Sequence, residues 1–314
     1  PSILVVGNSC VLVSEWDIRP FDVTCQSPGY TKAMTKWNVG DVRLLMNQWY
    51  PPESAHGWDK VGLITGAPQA QVDRILLALD PTQAVVEEAL QWGANMIITH
   101  HPLLLRGASF LNQESAKGRI ISALNRYEIA LFNAHTNGDV AQDGVAQACA
   151  QALELSDIEV LSPEGVNADG QAIGLGRIGS IKPTPLREFA YTVARVMPKG
   201  PTGLLVGGDL DGVVRRVAVS PGAGDSMFDA VRASDADVFI TADLRHHPAS
   251  EFLEDGGCSL ICASHWATES LWLPVLAQKL REEARRLAIT CEAKVSTIVT
   301  EPWSLHLDTE GSYL

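Results

Sequence analysis

Two stretches of this chain lie over one another without a gap. Val72 to Thr99 and Val214 to Thr241 run together at a constant offset of 142 residues (241 minus 99). Val72, Arg74, Ala94, Ile98 and Thr99 recur as Val214, Arg216, Ala236, Ile240 and Thr241, while Ile75, Leu77 and Asn95 face Val217, Val219 and Asp237. Self-similarity over this length marks a repeated supersecondary unit and narrows the fold before any other feature is read. Each copy reads strand, helix, strand: "RILLALD" and "RRVAVS" are short apolar runs, "TQAVVEEALQWG" and "GDSMFDAVRAS" carry helical spacing, and "MIIT" and "VFIT" return as strands. A unit of that length is a parallel crossover, whose sheet must be covered by helices. The expected fold class is α/β, with two similar lobes built of mostly parallel strand-helix-strand units and a site in the cleft between them.

The flanking sequence fills in the lobes. "DVRLLMNQW" from Asp41, "KGRIISALNR" from Lys117 and "ESLWLPVLAQKLREEARRL" have helical spacing, the last with Pro274 disturbing its first turns. "EIALFNAHTNGD" reads as a strand and then a loop. The glycine-rich stretch 165–179 reads as the bridge between lobes. Residues 1–33 mix Trp, Cys, Pro and Gly without clear periodicity, and the first methionine is Met34, so this part is expected to be a non-native or disordered extension. The expected division is 1–33 extension, 34–164 first lobe, 165–262 second lobe, and 263–314 a turn, helix and strand returning to the first lobe.

Charge and cysteine content exclude several classes. With 24 Lys and Arg against 37 Asp and Glu, the net charge is -13 and no basic run offers a stripe for a phosphate backbone, so nucleic acid is not an expected partner. No long uncharged apolar span or secretory leader is visible, which leaves no expectation of a membrane role. The six cysteines are scattered, without paired spacing for a structural zinc or the density of a disulfide scaffold, and a reducing cytoplasm is the expected compartment.

Ligands collect beyond the carboxyl ends of strands in such sheets, and both copies end there. The first runs on as His100-His101-Pro102 and the second as Ala242-Asp243-Leu244-Arg245-His246-His247. His265 and Glu269 are four apart, so one helical turn puts both on a face. Imidazole and carboxylate suit divalent Zn, Fe or Mn, and His100, His101, Asp139, His265 and Glu269 are the candidate ligands. Five such side chains exceed what one open site needs and suit two ions sharing a carboxylate. Each histidine can instead be an ordinary hydrogen-bonded polar residue. His246 and His247 are expected to take supporting or solvent roles, Asp243 to orient a ligand histidine or cap a turn, and His56 to be exposed. His306 has no assigned role.

Taken together and in order, "GWDKVGLITG", "LALDPT", "IITHHPLL", "AHTNGD", "GLGRIG", "VFITADLRHH" and "SHWATES" resemble the family of GTP cyclohydrolase 1 type 2 homologues, also described as NGG-interacting factor three-like dinuclear metal-centre proteins. The resemblance spans Val39 to Pro302. It implies that the five candidates are metal ligands with Glu269 touching both ions, and that two-lobed subunits assemble as a ring-shaped homohexamer. Lys60, Gly138, Ala242 and Ser264 depart from the family's pattern, and none of these is a ligand.

Two ions at such a site would bring the pKa of a bridging water to roughly 7 and polarise an electrophile, making a metal-dependent hydrolase. The family name implies a nucleotide-like substrate, GTP, whose imidazole ring is opened. His135 could transfer a proton, or could be a hydrogen-bonded core residue. "GLGRIG" lacks the preceding strand and following helix of a dinucleotide fingerprint. The alternative function is a metal-containing ring that binds a protein partner without turnover.

Overall fold

In the computed structural model, which describes residues 2–6, 9–13 and 36–307, both copies of the repeat fold as parallel crossovers in one register. Ile75 lies opposite Met96 and Leu77 opposite Ile98; 142 positions on, Val217 lies opposite Val238 and Val219 opposite Ile240. The same brace recurs too. The side chain of Asn95 accepts the backbone N–H groups of Asp73 and Arg74 at 2.9 and 3.1 Å, and that of Asp237 accepts those of Arg215 and Arg216 at 2.6 and 2.8 Å. In each case one side chain satisfies two amides at the start of the neighbouring strand, which fixes the strand pair's alignment.

The first sheet has five strands in the order Glu292–Val295, Arg74–Ala78, Met96–Thr99, Ala130–Asn133 and Gly62–Thr65. The first four are parallel and the last is an antiparallel edge. The second sheet has six, in the order Leu205–Gly207, Ser259–Ala263, Val238–Ala242, Val213–Ala223, Ala172–Pro185 and Ser156–Val166. Its middle three are parallel and the outer pairings antiparallel. C-terminal Glu292–Val295 pairs with Arg74–Ala78, so the end of the described chain returns to the first sheet.

Alternation along each strand feeds two cores per sheet. Ile75, Leu77, Met96 and Ile98 pack with Trp37, Met46 and Trp272, under the helices Val39–Trp49 and Trp272–Arg286. Leu76, Ala78 and Ile97 face the other way, toward Gln83–Trp92 and Ala116–Arg126. In the second sheet Val217, Val219 and Ile240 meet Leu186–Val196, while Ala218 and Phe239 meet Phe228 and Phe252. Each fully buried Val, Leu, Ile or Phe side chain contributes about 1.5–3 kcal/mol. Capping sets the helix starts: Asn38 and Asp41 form a reciprocal box, and Thr82 and Ser115 accept from the first turns of their helices.

Some expectations change. The stretch 165–179 is no bridge: it belongs to the long hairpin Ser156–Val166 and Ala172–Pro185, so the second sheet begins at Ser156. The residues after Ala130–Asn133 form a short helix, Thr136–Val140, where a loop was expected. His246 and His247 open the helix His246–Glu254 instead of lying in a loop. Pro274 sits in the first turn of Trp272–Arg286, where its missing N–H costs no intrahelical bond. Residues Pro1–Met34 form a unit separate from Thr35–Leu314; within it Ser2–Val6 and Ser9–Val13 pair antiparallel, and the rest of the expected extension lies outside the described residues. Cys149, Cys258, Cys262 and Cys291 are free, and among the described residues no helix is long and apolar enough to cross a membrane.

Candidate metal centre

Strand Met96–Thr99 ends on a backbone that turns, and the turn lets two neighbouring imidazoles share one crevice. The Thr99 hydroxyl donates to the carbonyl of His101 at 2.7 Å, and the His101 N–H reaches back to the Leu79 carbonyl at 3.0 Å. Ring centroids of His100 and His101 are then 5.0 Å apart, with His265 5.3 Å from His101. His265 begins the helix His265–Ser270, whose N-cap Ser264 accepts from Ala267 N–H. Glu269, one turn along, projects between the histidines.

Each of the three histidines is anchored by Nδ1 and presents Nε2 to the same point. His100 Nδ1 donates to the Ala134 carbonyl at 2.9 Å, His101 Nδ1 to Asp80 at 2.7 Å and His265 Nδ1 to Asp243 at 2.7 Å. With Nδ1 so anchored, Nε2 is the atom each ring can offer a cation, as a lone pair once the ion displaces its proton. Those atoms lie around Glu269: His101 Nε2 is 3.0 Å from Oε2, His265 Nε2 3.1 Å from Oε1 and His100 Nε2 3.7 Å from Oε1. His100 Nε2 is also 3.6 Å from Asp139 Oδ1. All five sequence candidates therefore meet, in two overlapping sets that share Glu269.

The fit to a cation rests on what these atoms lack. His100 Nε2 and Glu269 Oε2 are buried and make no hydrogen bond of good geometry among the described residues, an arrangement that costs about 1–3 kcal/mol per atom when nothing compensates. Two donors on a tetrahedral ion at roughly 2.1 Å stand about 3.4 Å apart, near the separations of His100 from Asp139 and Glu269. Outward anchoring of Nδ1 on a carboxylate or carbonyl is the usual support of a metal-bound imidazole. His101, His265 and Glu269 offer one atom each within 4.8 Å of one another, as do His100, His101 and His135. The residues present fit a divalent cation.

The local field favours positive charge. Burial alone would depress His101 and His265, yet hydrogen bonds and attraction from Asp80, Asp243 and Glu269 outweigh it and raise them to about 10 and about 9. Burial would raise Glu269, but the three imidazoles hold it well below the usual carboxylate range. Asp139 is carried by burial up to about 6, offset in part by His100.

His135 stands beside the cluster, its ring 5.2 Å from that of His100. Its Nδ1 donates to Asp59 at 3.0 Å, and the same Asp59 oxygen accepts from the Thr136 amide and hydroxyl at 3.1 and 2.7 Å. Burial and repulsion from His100 push its pKa down to about 4, which keeps the ring neutral near pH 7.

His246 and His247 are exposed and outside both groups of converging side chains. His56 is half-buried instead of exposed, with Nε2 3.3 Å from Glu164. His306 lies beside Gly203. Of the two roles open to Asp243, the structure shows the orienting one.

Sequence reasoning assigned nothing to Asp59, Asp80, Trp272 or Gly222. Trp272 is fully buried beneath His100, ring to ring at 5.8 Å, and its indole N–H donates to Tyr50 Oη at 3.1 Å. Gly222 has φ +71°, and a Cβ there would stand 2.3 Å from Glu269 Oε1, so only glycine lets the carboxylate in. Asp80 follows the strand Arg74–Ala78 at the same sheet end as His100, which places it near the site without naming the imidazole it meets.

A family model described as Duf34/NIF3 (NGG1p interacting factor 3) matches residues 37–302, and the chain belongs to that family. It is 42% identical over 270 residues to a protein of Streptomyces coelicolor named GTP cyclohydrolase 1 type 2 homolog, covering 86% of this chain and 94% of that one. A Mycobacterium tuberculosis protein of the same name is 30% identical over 375 aligned positions, covering 86% of this chain and 98% of that one. That alignment is longer than this whole chain of 314 residues, so the relative carries additional internal sequence. Among solved structures, a Bacillus cereus protein related to NIF3 superposes with a TM-score of 0.80 at 25% identity, covering 87% of this chain and all of that one. A Staphylococcus aureus hypothetical protein gives 0.79 at 27% identity, with 86% and 99% covered.

Proposed function

We propose that this chain is a dinuclear metal-dependent hydrolase acting on a nucleotide-like substrate. His100, Asp139 and Glu269 would hold one divalent ion, and His101, His265 and Glu269 the other, with Zn, Fe and Mn all suited to the donor set. The observation that carries this reading is the set of three Nε2 atoms turned toward one carboxylate, each ring braced from behind at Nδ1. When bound, such ions supply Lewis-acid polarisation and an acidified water at neutral pH.

The chain's own residues do the rest. Asp80 and Asp243 orient His101 and His265, and Gly222 leaves room for Glu269. His135, held neutral with its Nδ1 proton on Asp59, keeps Nε2 free to take a proton from a group in the crevice. The relatives' name supports a GTP-like substrate, and assembly as a homohexamer belongs to the same reading.

Metal analysis of protein purified without an affinity tag tests the first part: about two equivalents per chain are expected, and none would reject it. Zn-, Mn- or Fe-loaded protein given GTP is then expected to release formate. Silence with all three, together with loss of assembly or of partner binding in His100→Ala or Glu269→Gln, would favour the family description's interacting role over turnover.

A further inference from the structure

Behind the helix His265–Ser270, on the side away from Glu269, lies a cavity of about 650 Å³ open to solvent. The helix Leu186–Val196 and the segment that follows form its other walls. Its floor is apolar, with Ala190, Met197, Leu204 and Leu210, and its polar lining includes Arg187, Tyr191, Lys199 and Thr202. No Asp or Glu lines it, although the chain carries 37 acids against 24 Lys and Arg. Neither Arg187 nor Lys199 makes an ion pair among the described residues.

The cavity does not end at its own wall. Thr202 and Ser264 also line a second one, of about 520 Å³, that contains His101 and His265. The Thr202 hydroxyl at that junction is buried and has no hydrogen-bond partner among the described residues. The second cavity is lined by Asp80, Asp243 and Glu301 and by Trp303, which is 65% exposed. A molecule lying across both would meet cations and apolar surface at one end and the histidine cluster at the other. Each cavity by itself has the volume of an ordinary small-molecule site.

We propose that the outer cavity is a binding subsite for an amphipathic organic anion: an apolar or aromatic body, carrying a carboxylate, sulfonate or phosphate monoester, that reaches the histidine cluster through the Thr202 and Ser264 junction. The apolar floor takes the body. Arg187 and Lys199 take the anionic end, Arg187 by a paired N–H fork. Thr202 offers its free hydroxyl to a polar atom passing the junction. The link to the cluster rests on the proposed hydrolase reading, whereas the anion subsite stands on the cavity alone.

The probe is 1-anilinonaphthalene-8-sulfonate, an aromatic sulfonate whose fluorescence rises on burial, with neutral N-phenyl-1-naphthylamine as its uncharged counterpart. Wild type should bind one sulfonate probe per chain. Arg187→Glu combined with Lys199→Glu should weaken that binding about tenfold or more while leaving the neutral probe unchanged, and Ala194→Trp, which fills the cavity from its rim, should abolish both. Metal content, measured on the same samples, should not change in any variant. Sulfonate binding indifferent to the charge reversal, or untouched by Ala194→Trp, would overturn the subsite. A metal-free wild type that still shows the charge effect would overturn the hydrolase reading and leave the subsite standing.

Discussion

The two repeated units share a register and a brace but differ at their strand ends. Asp80 in the first unit aligns with Gly222 in the second, and His101 with Asp243. In the first unit the carboxylate braces the imidazole next to it. In the second, glycine clears space for Glu269, and the carboxylate braces His265, which opens the helix after the next strand. The third strands repeat the theme: His135 and Asp139 are four apart after one, His265 and Glu269 after the other. A common α/β frame thus presents the same few positions twice, and their residue types decide which position in each unit faces the cluster and which braces it.

Glu269→Gln is the most severe test of the comparison, because it removes the one carboxylate common to both proposed ligand sets. Metal content by mass spectrometry is expected to fall below about a tenth of wild type, with the far-ultraviolet circular dichroism unchanged; retention of one full equivalent would show that the two sets do not share Glu269. The braces come next. Asp80→Ala and Asp243→Ala should each weaken metal binding by about 10–100-fold, by competition with a chromophoric chelator, and a change in only one would break the equivalence of the two units.

The duplicated structural brace gives a smaller effect, read in stability. Asn95→Ala and Asp237→Ala each strand two backbone amides, for which about 1–3 kcal/mol is expected in urea unfolding, with Asp237 at the upper end because its acceptor is charged. Equal metal content in both variants would confirm that these residues hold register alone. Smallest is His246→Ala with His247→Ala, where metal content and stability should both stay within about 0.5 kcal/mol or its equivalent, as for other exposed positions.

Much of this was legible in the sequence because periodicity and spacing carry it. The offset of 142 residues marked the paired crossovers, and the strand end with the His265 and Glu269 spacing marked four of the five converging side chains, Asp139 being added from the "HTNGD" loop and the family resemblance. Apart from Asp243, the braces were not legible in the same way: an aspartate flanking a strand, after it as Asp80 or before it as Asp59, has the sequence signature of an ordinary turn or cap, and only the fold shows which imidazole it meets. The stretch 165–179 misled for another reason. Glycines usually mark loops, but Gly174 sits inside a strand, at φ +155°, where a Cβ would stand 2.1 Å from the Ser162 carbonyl oxygen. The strand pair shifts register at that point, and a glycine there marks a bulge rather than a linker.

Anomalous scattering from crystals of the untagged protein, collected on both sides of the Zn, Mn and Fe edges, reaches the central claim most directly. Two peaks are expected beside the Glu269 carboxylate, the first between His100 and Asp139 and the second between His101 and His265. A single peak away from Glu269, or no peak in a protein that still turns over substrate, would contradict it.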